Sequence, residues 1–541
     1  MKCIYKITLL AALSFSAVSP IFAQTIVTEK LPIDYLSKEF HAGRRQALRD
    51  KMPANSVAVV FAYPEQVFSN DVNYVFHQNP DLYYLSGYKE ANSMLLIFKE
   101  MQSKGSSTYN EVLFVQKRDA AQEQWTGKRL GVEGAKGQLG FKEAYNSADF
   151  SGFDLYFKKF ATILYDGLPG DVGASSVKGS LRDLVNTFQS KAGIKEMDKG
   201  LMADLSFVAL RGNPKNLGRF AAYLKPKMDQ EAYKNNAIIQ QLMAQPDSVT
   251  FMSIKSKIAA EIGGIGLYDD ALTQLRGVKT PEEIELLKKS VMISSLAHAE
   301  AMRAVTPQMS ERELEGIMVY VHKKYGAEDE GYPPIVGAGG NGCILHYEEN
   351  NATAVQNQLV LMDVGSEYHG YSADVTRTFP ANGKFTEAQK AIYELVYNAQ
   401  EAVFPLCKAG VPYGSLQEKT AEVLAAGLIK LGIIKDAKEV GRYYPHGVSH
   451  HLGLDVHDKG AYGDNLIENM VITVEPGIYI PAGSPCDKKW WNIGVRIEDD
   501  VQIGKDKGIN LSAAAPRTWQ AVEKMAAEKS IFDARKPARK R

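Results

Sequence analysis

Cysteine is scarce in this chain, net charge is absent, and no long apolar run follows the first two dozen residues. Only four cysteines occur in 541 residues. Cys3 lies in the leader, which leaves Cys343, Cys407 and Cys486. An odd number at no metal-like spacing does not make a disulfide framework, although one bridge is open to it in an oxidising compartment. Lys plus Arg and Asp plus Glu stand at 63 each, so no charge excess points to nucleic acid or an anionic surface. No internal repeat of short period is present.

What is there begins with an address. Lys2 and Lys6 precede an apolar stretch from Ile7 to Phe22, and Ala23-Gln24 offers a small residue for cleavage. Residues 1–23 therefore read as a secretory signal, too short and Ser-broken for a membrane span. The expected mature chain is exported, to a bacterial periplasm or the medium, with no stable membrane anchor after cleavage. The basic end Lys536–Arg541 reads as a solvated tail within 521–541.

Over 24–190, short apolar runs alternate with helical stretches. Ser56–Phe61, Met94–Phe98, Val112–Val115 and Thr162–Tyr165 predict buried strands, and Leu181–Phe188 predicts a helix. This is an α/β pattern. Its most individual segment is the polar-aromatic Asp71–Gly87. Residues 191–275 carry helix-forming composition without clustered reactive residues, and Asp229–Met243 has apolar residues at helical spacing. They read as a helical connector or insertion. A further domain is expected over 276–520. Thr280-Pro281-Glu-Glu283, Ser310–Glu313, Thr386–Gln389 and Ser415–Glu418 all read as capping boxes, and Gly326 and Gly410 as helix stops. Helices that precede and cover twisted hairpins make this domain α+β.

The chemistry lies at predicted strand ends of that domain. Asp363 closes Leu359-Val-Leu-Met-Asp363, and Asp374 follows eleven residues later; Glu475 ends Val471-Ile-Thr-Val-Glu475-Pro476, and Glu498 opens Glu498-Asp-Asp500. Glu475 sits between an apolar run and a proline, which favours extended backbone and burial. Seven of ten histidines fall between His322 and His457. Four of them occupy Pro445–Asp458, where Pro445, Gly447 and Gly453 argue for a loop followed by a strand. Four carboxylates with His450 form an oxygen-rich set that is costly to bury without cations. Two divalent ions would neutralise it, and a mostly oxygen set with one nitrogen suits Mn²⁺, Co²⁺ or Zn²⁺.

Taken together, Asp363…Asp374, His446-Gly-Val-Ser-His450, Val474-Glu475-Pro-Gly477 and Arg496-Ile-Glu498 resemble the proline-specific metallopeptidases of the pita-bread fold, and aminopeptidase P above all. The resemblance covers 276–515, and Asp71–Gly87 is similar to that family's N-terminal domain. It implies a C-terminal pita-bread catalytic domain behind a smaller α/β domain. It implies Asp363, Asp374, His450, Glu475 and Glu498 as metal ligands, with Asp374 and Glu498 bridging two ions that share an attacking hydroxide. Glu475 would also move protons. His346 and His457 would orient substrate and stabilise the oxyanion. His446, Arg496 and Tyr479 would bind substrate or support the ligands.

The substrates implied are peptides with proline second, and a homodimer or homotetramer is expected. His451 stands where the family often has a bulky aromatic, which bears on the pocket wall. Prolidase, which cleaves only Xaa-Pro dipeptides with the same ligands, is the alternative. A non-catalytic peptide-binding protein on this fold would have lost ligands that are all present here.

Overall fold

The computed structural model describes residues 34–533 apart from 171, 174, 176, 195–197 and 215–216. The expected signal and the basic end of the tail lie outside these residues. In the N-terminal part, strands β1 (Ser56–Phe61), β2 (Met94–Lys104), β3 (Ser107–Val115), β4 (Ala144–Asn146) and β5 (Thr162–Tyr165) form one sheet in the order β4-β3-β2-β1-β5. β1 is antiparallel to β2 and parallel to β5. All six side chains of β1 are buried, as a strand covered on both faces requires. β2 and β3 run past their apolar cores into an exposed hairpin around Gly105, whose φ of 60° suits glycine. Helix α1 (Lys38–Lys51) packs on β2 and on α2 (Pro80–Ser86).

The Asp71–Gly87 segment resolves into a short exposed pairing at Val72–Asn73 and then α2, capped by Asn79, whose side chain accepts from the Asp81 N–H. After α3 (Leu181–Ala192), the helices from Lys199–Arg211 to Ser248–Ile262 enclose an apolar cluster of their own, including Leu205, Ile239 and Ile258. The single helical pattern expected over 229–243 is two short helices, Glu231–Lys234 and Ala237–Met243. Asn236 interrupts them because its side chain caps the second through the Ile238 and Ile239 N–H groups.

Helix α4 (Gly264–Gly277) leads into the C-terminal half, which is α+β. Helices α5 (Pro281–Ala304) and α6 (Glu311–Lys324) precede an antiparallel sheet of β6 (Ile335–Ala338), β7 (Leu359–Asp363) and β8 (Thr376–Pro380) in the order β8-β7-β6. Helices α7 (Glu387–Val403) and α8 (Gly414–Lys430) pack on each other and precede β9 (Val471–Val474), β10 (Gly477–Ile480), β11 (Ile493–Arg496) and β12 (Asp499–Gln502). Capping boxes form at Thr280, Ser310 and Thr386. The one expected at Ser415 does not. α8 starts two residues earlier, with Tyr413 at its cap, and the Ser415 hydroxyl donates to the Pro412 carbonyl instead. Among the described residues the strand expected directly after the His446–His450 loop does not form either; His451 makes an isolated bridge to Ile472. Among the described residues no helix is long and apolar enough to cross a membrane.

The two halves share a core and a buried ionic junction. Leu82, Tyr84 and Leu85 of α2 join Leu272, Leu287, Tyr371 and Leu452 in one apolar cluster. Beside it Arg276 donates to Asp81 (2.7 Å), Asp455 (2.7 Å) and Asp458, while Lys279 adds a bond to Asp458 at 2.9 Å. Arg276, Asp81 and Asp458 are almost wholly buried. Removing one partner of such a network leaves uncompensated charge inside the protein. Arg276→Ala should therefore cost about 3–5 kcal/mol of stability, read as a lowered urea midpoint, and an unchanged midpoint would contradict the assignment of this junction.

Candidate metal centre

Strand pairing delivers the acidic residues to one place. Asp363 ends β7 opposite Thr376 of β8, and Asp374 lies two residues before that strand. The chains 471–480 and 493–502 run antiparallel, pairing Val474 with Asp499 and Gly477 with Arg496. Between those pairs the ladder breaks at Glu475-Pro476, because proline has no N–H to donate. Ile497-Glu498 lies across the break. The Glu498 N–H donates to the Thr376 carbonyl at 3.1 Å and so joins the two sheets. Gln400 of α7 donates to the carbonyls of Val474 (3.0 Å) and Ile497 (3.1 Å), the residues just before Glu475 and Glu498. Behind them the buried pair Arg377–Asp499 (2.7 Å) also holds the Glu498 carbonyl at 2.5 Å.

A cavity of about 250 Å³ results, lined among others by His346, Asp363, Asp374, His446, His450, His457, Glu475, Arg496 and Glu498. One ligand atom from each of Asp374, His450 and Glu498 lies within 4.8 Å of the others, and all three residues are buried. Asp363 is tied differently. One of its oxygens accepts from Tyr332 at 2.5 Å and the other from Arg496 at 2.6 Å. Glu475 lies 3.6 Å from His450 Nε2 and 3.5 Å from His446 Nδ1.

His450 Nδ1 stands 3.0 Å from the His451 carbonyl and Nε2 3.2 Å from Asp374. A proton on Nδ1 donated to that carbonyl leaves the Nε2 lone pair for a cation. His446 Nε2 meets the Tyr479 hydroxyl at 2.8 Å, and Arg496 donates to the same hydroxyl at 2.9 Å. His457 stacks obliquely on His450, with ring centroids 4.1 Å apart.

Electrostatics fit a cation site. Burial, with Asp363 next to it, raises the Asp374 carboxyl, although His450 opposes the shift. Burial and the neighbouring Asp374 push Glu498 well above the usual carboxylate range. Burial also carries Glu475 up to about 7, against the pull of His450. Burial lowers His450, but its contact with Asp374 overrides this and takes it to about 9. Without cations the cluster therefore retains protons. Divalent ions would replace them, and the donor set of four carboxylates and one imidazole suits such ions.

Several residues that hold this cluster were not singled out from the sequence. Tyr332 donates to Asp363 and also lies 2.7 Å from Asp374. It sits in Gly331-Tyr-Pro-Pro334, which carries no charge to draw attention. The Thr376 hydroxyl donates to Glu498 at 2.5 Å and accepts from Arg496 Nε at 3.0 Å. Asp500, visible in the acidic triplet, accepts the Asp374 backbone N–H at 3.0 Å. The whole triplet is buried. His451 does not line the cavity. It turns into the interior between Tyr413 and Tyr462, so the expected effect on the pocket wall is not found.

Comparison with known proteins gives this geometry a class. The metallopeptidase family M24 matches residues 285–505, and the aminopeptidase P N-terminal domain matches residues 41–160. The Xaa-Pro aminopeptidase of Escherichia coli K12 is 32% identical over 500 residues, spanning 90% of this chain and 97% of its own. The solved E. coli aminopeptidase P with the inhibitor Pro-Leu superimposes with a TM-score of 0.70 at 30% identity, covering 93% of this chain and 100% of its own. A zinc-substituted form of that enzyme with product gives 0.69 at 29% identity, covering 91% and 98%. The chain belongs to metallopeptidase family M24 and, within it, to the Xaa-Pro aminopeptidases, the aminopeptidase P group.

The Tyr332 hydroxyl offers a direct probe of how the ligands are held. Tyr332→Phe should weaken divalent-cation binding about 10–100-fold, the usual loss when an outer partner of metal ligands is removed, while leaving the fold intact by circular dichroism. Calorimetric titration reads this, and an unchanged affinity would remove Tyr332 from the site.

Proposed function

We propose that the chain is an exported dinuclear aminopeptidase that releases the first residue of peptides carrying proline second. The observation that carries this reading is the convergence of Asp363, Asp374, His450, Glu475 and Glu498 on one cavity with three further histidines. The solved relatives with Pro-Leu and with zinc support its proline and divalent-cation parts. Asp363, Asp374, His450, Glu475 and Glu498 would hold two divalent ions, with Asp374, His450 and Glu498 offering ligand atoms that already lie together. Mn²⁺ is the ion we assign, with Co²⁺ and Zn²⁺ as alternatives. When bound, such ions supply an activated water and polarise the scissile carbonyl.

The chain's own groups perform the other tasks. Glu475 accepts a proton on a carboxylate oxygen and returns it to the proline nitrogen as the amide bond breaks. Burial, with His450 alongside, lowers His457 to about 4, so it stays a neutral imidazole. Its N–H, with that of His346, donates to the developing oxyanion. Burial likewise lowers His446 to about 4, with Arg496 adding to the effect. His446 and Arg496 grip Tyr479 from two sides, and Arg496 fixes Asp363.

Hydrolysis of Xaa-Pro-Yaa, Xaa-Pro and Xaa-Ala-Yaa before and after chelation tests the reading. Cleavage of the proline tripeptide should dominate, vanish with chelator or N-acetylation, and return with Mn²⁺. Cleavage confined to dipeptides would make the enzyme a prolidase, and chelator-resistant cleavage would refute the metal assignment. Export rests on the charged, apolar and small-residue order of the first 23 residues. The mature N-terminus should fall near Gln24, and intact Met1 in a cytoplasmic fraction would overturn that part.

A further inference from the structure

Glu311, the first residue of α6, is completely buried, and no cation pairs with it among the described residues. All its side-chain hydrogen bonds come from the segment 338–352. The Ala338 N–H (2.8 Å) and Asn341 Nδ2 (3.0 Å) donate to one oxygen. The Tyr347 hydroxyl (3.0 Å) and the Ala352 N–H (2.8 Å) donate to the other. The Glu311 N–H returns a bond to the Ala352 carbonyl at 3.0 Å. One carboxylate thus ties the segment at four points.

His346 stands inside that segment, next to Tyr347. It lines the cavity, yet no hydrogen bond holds its ring among the described residues. The direction of the imidazole is therefore set by the backbone that carries it. A carboxylate is acceptor-only and takes two donors on each oxygen, which no neutral side chain does. The desolvation cost of burying it is offset by those donors and by the N-terminus of α6. Glu311 itself is absent from the cavity wall.

We infer that Glu311 is a positioning residue, which fixes segment 338–352 so that His346 points at the reacting carbonyl. This rests on the role proposed above for His346. The test is a double-mutant cycle on the Mn²⁺-loaded full chain with an Xaa-Pro-Yaa substrate. Glu311→Gln places an amide N–H₂ against two of the four donors. It should lower kcat about 10²-fold, the scale of a misplaced catalytic group, with KM and metal content unchanged. In a His346→Ala background it should cost nothing further, whereas in a His457→Ala background its loss should multiply.

An equal loss with and without His346 would overturn the inference while sparing the role of His346. Full activity of His346→Ala alone would overturn that role and the inference with it. If Glu311→Gln does not fold, Tyr347→Phe, which removes one donor from the same cluster, carries the same cycle with a smaller loss, and additivity there would overturn the inference equally.

Discussion

Asp363, Asp374, Glu475 and Glu498 converge on one cavity; Arg496 is paired with Asp363, while Asp374, Glu475 and Glu498 crowd together where burial and like charge disfavour ionisation. Burial and mutual repulsion raise Asp374, Glu475 and Glu498. The surrounding structure holds these groups in place despite that cost. Thr376 links Glu498 to Arg496, Arg496 links Asp363 to Tyr479, and Tyr332 links Asp363 to Asp374. Behind them, Gln400 and Arg377 fix the backbone at Glu475 and Glu498. A centre that must accept divalent cations cannot rely on those cations alone for its shape, and this scaffold supplies the preorganisation.

The same logic reaches the loops that carry the histidines. His457 lies between Asp455 and Asp458, and Arg276 grips both. That guanidinium also binds Asp81 of the N-terminal half, so the polar-aromatic Asp71–Gly87 segment contributes to the footing of the catalytic loop. His346 depends in turn on Glu311. Buried charge therefore serves twice outside the centre itself, once at the junction of the two halves and once under the His346 loop.

Patterns that act locally were legible in the sequence. The apolar runs of β1 and β5 and the capping boxes at Thr280, Ser310 and Thr386 specify their elements from within a few residues. The acidic residues at strand ends were legible because burial of such residues demands partners. Tertiary choices were not. The Ser415 box lost to a bond with Pro412, and Asn236 split an apolar helical pattern by capping instead. Tyr332 and Thr376 are ordinary residues by composition, and only the crossing of β7, β8 and the 493–502 chain gives them work. His451 looked like part of the pocket because it adjoins His450, but the backbone there turns it inward onto Tyr413.

The central claim is that the carboxylate cluster retains protons until divalent cations displace them. Proton release on adding Mn²⁺ to the metal-free chain, in weak buffer at a pH below the Glu475 value of about 7, measures this directly. Metal binding should release protons, and the release should shrink as the pH rises past that value. Uptake of Mn²⁺ with no proton released would contradict the account.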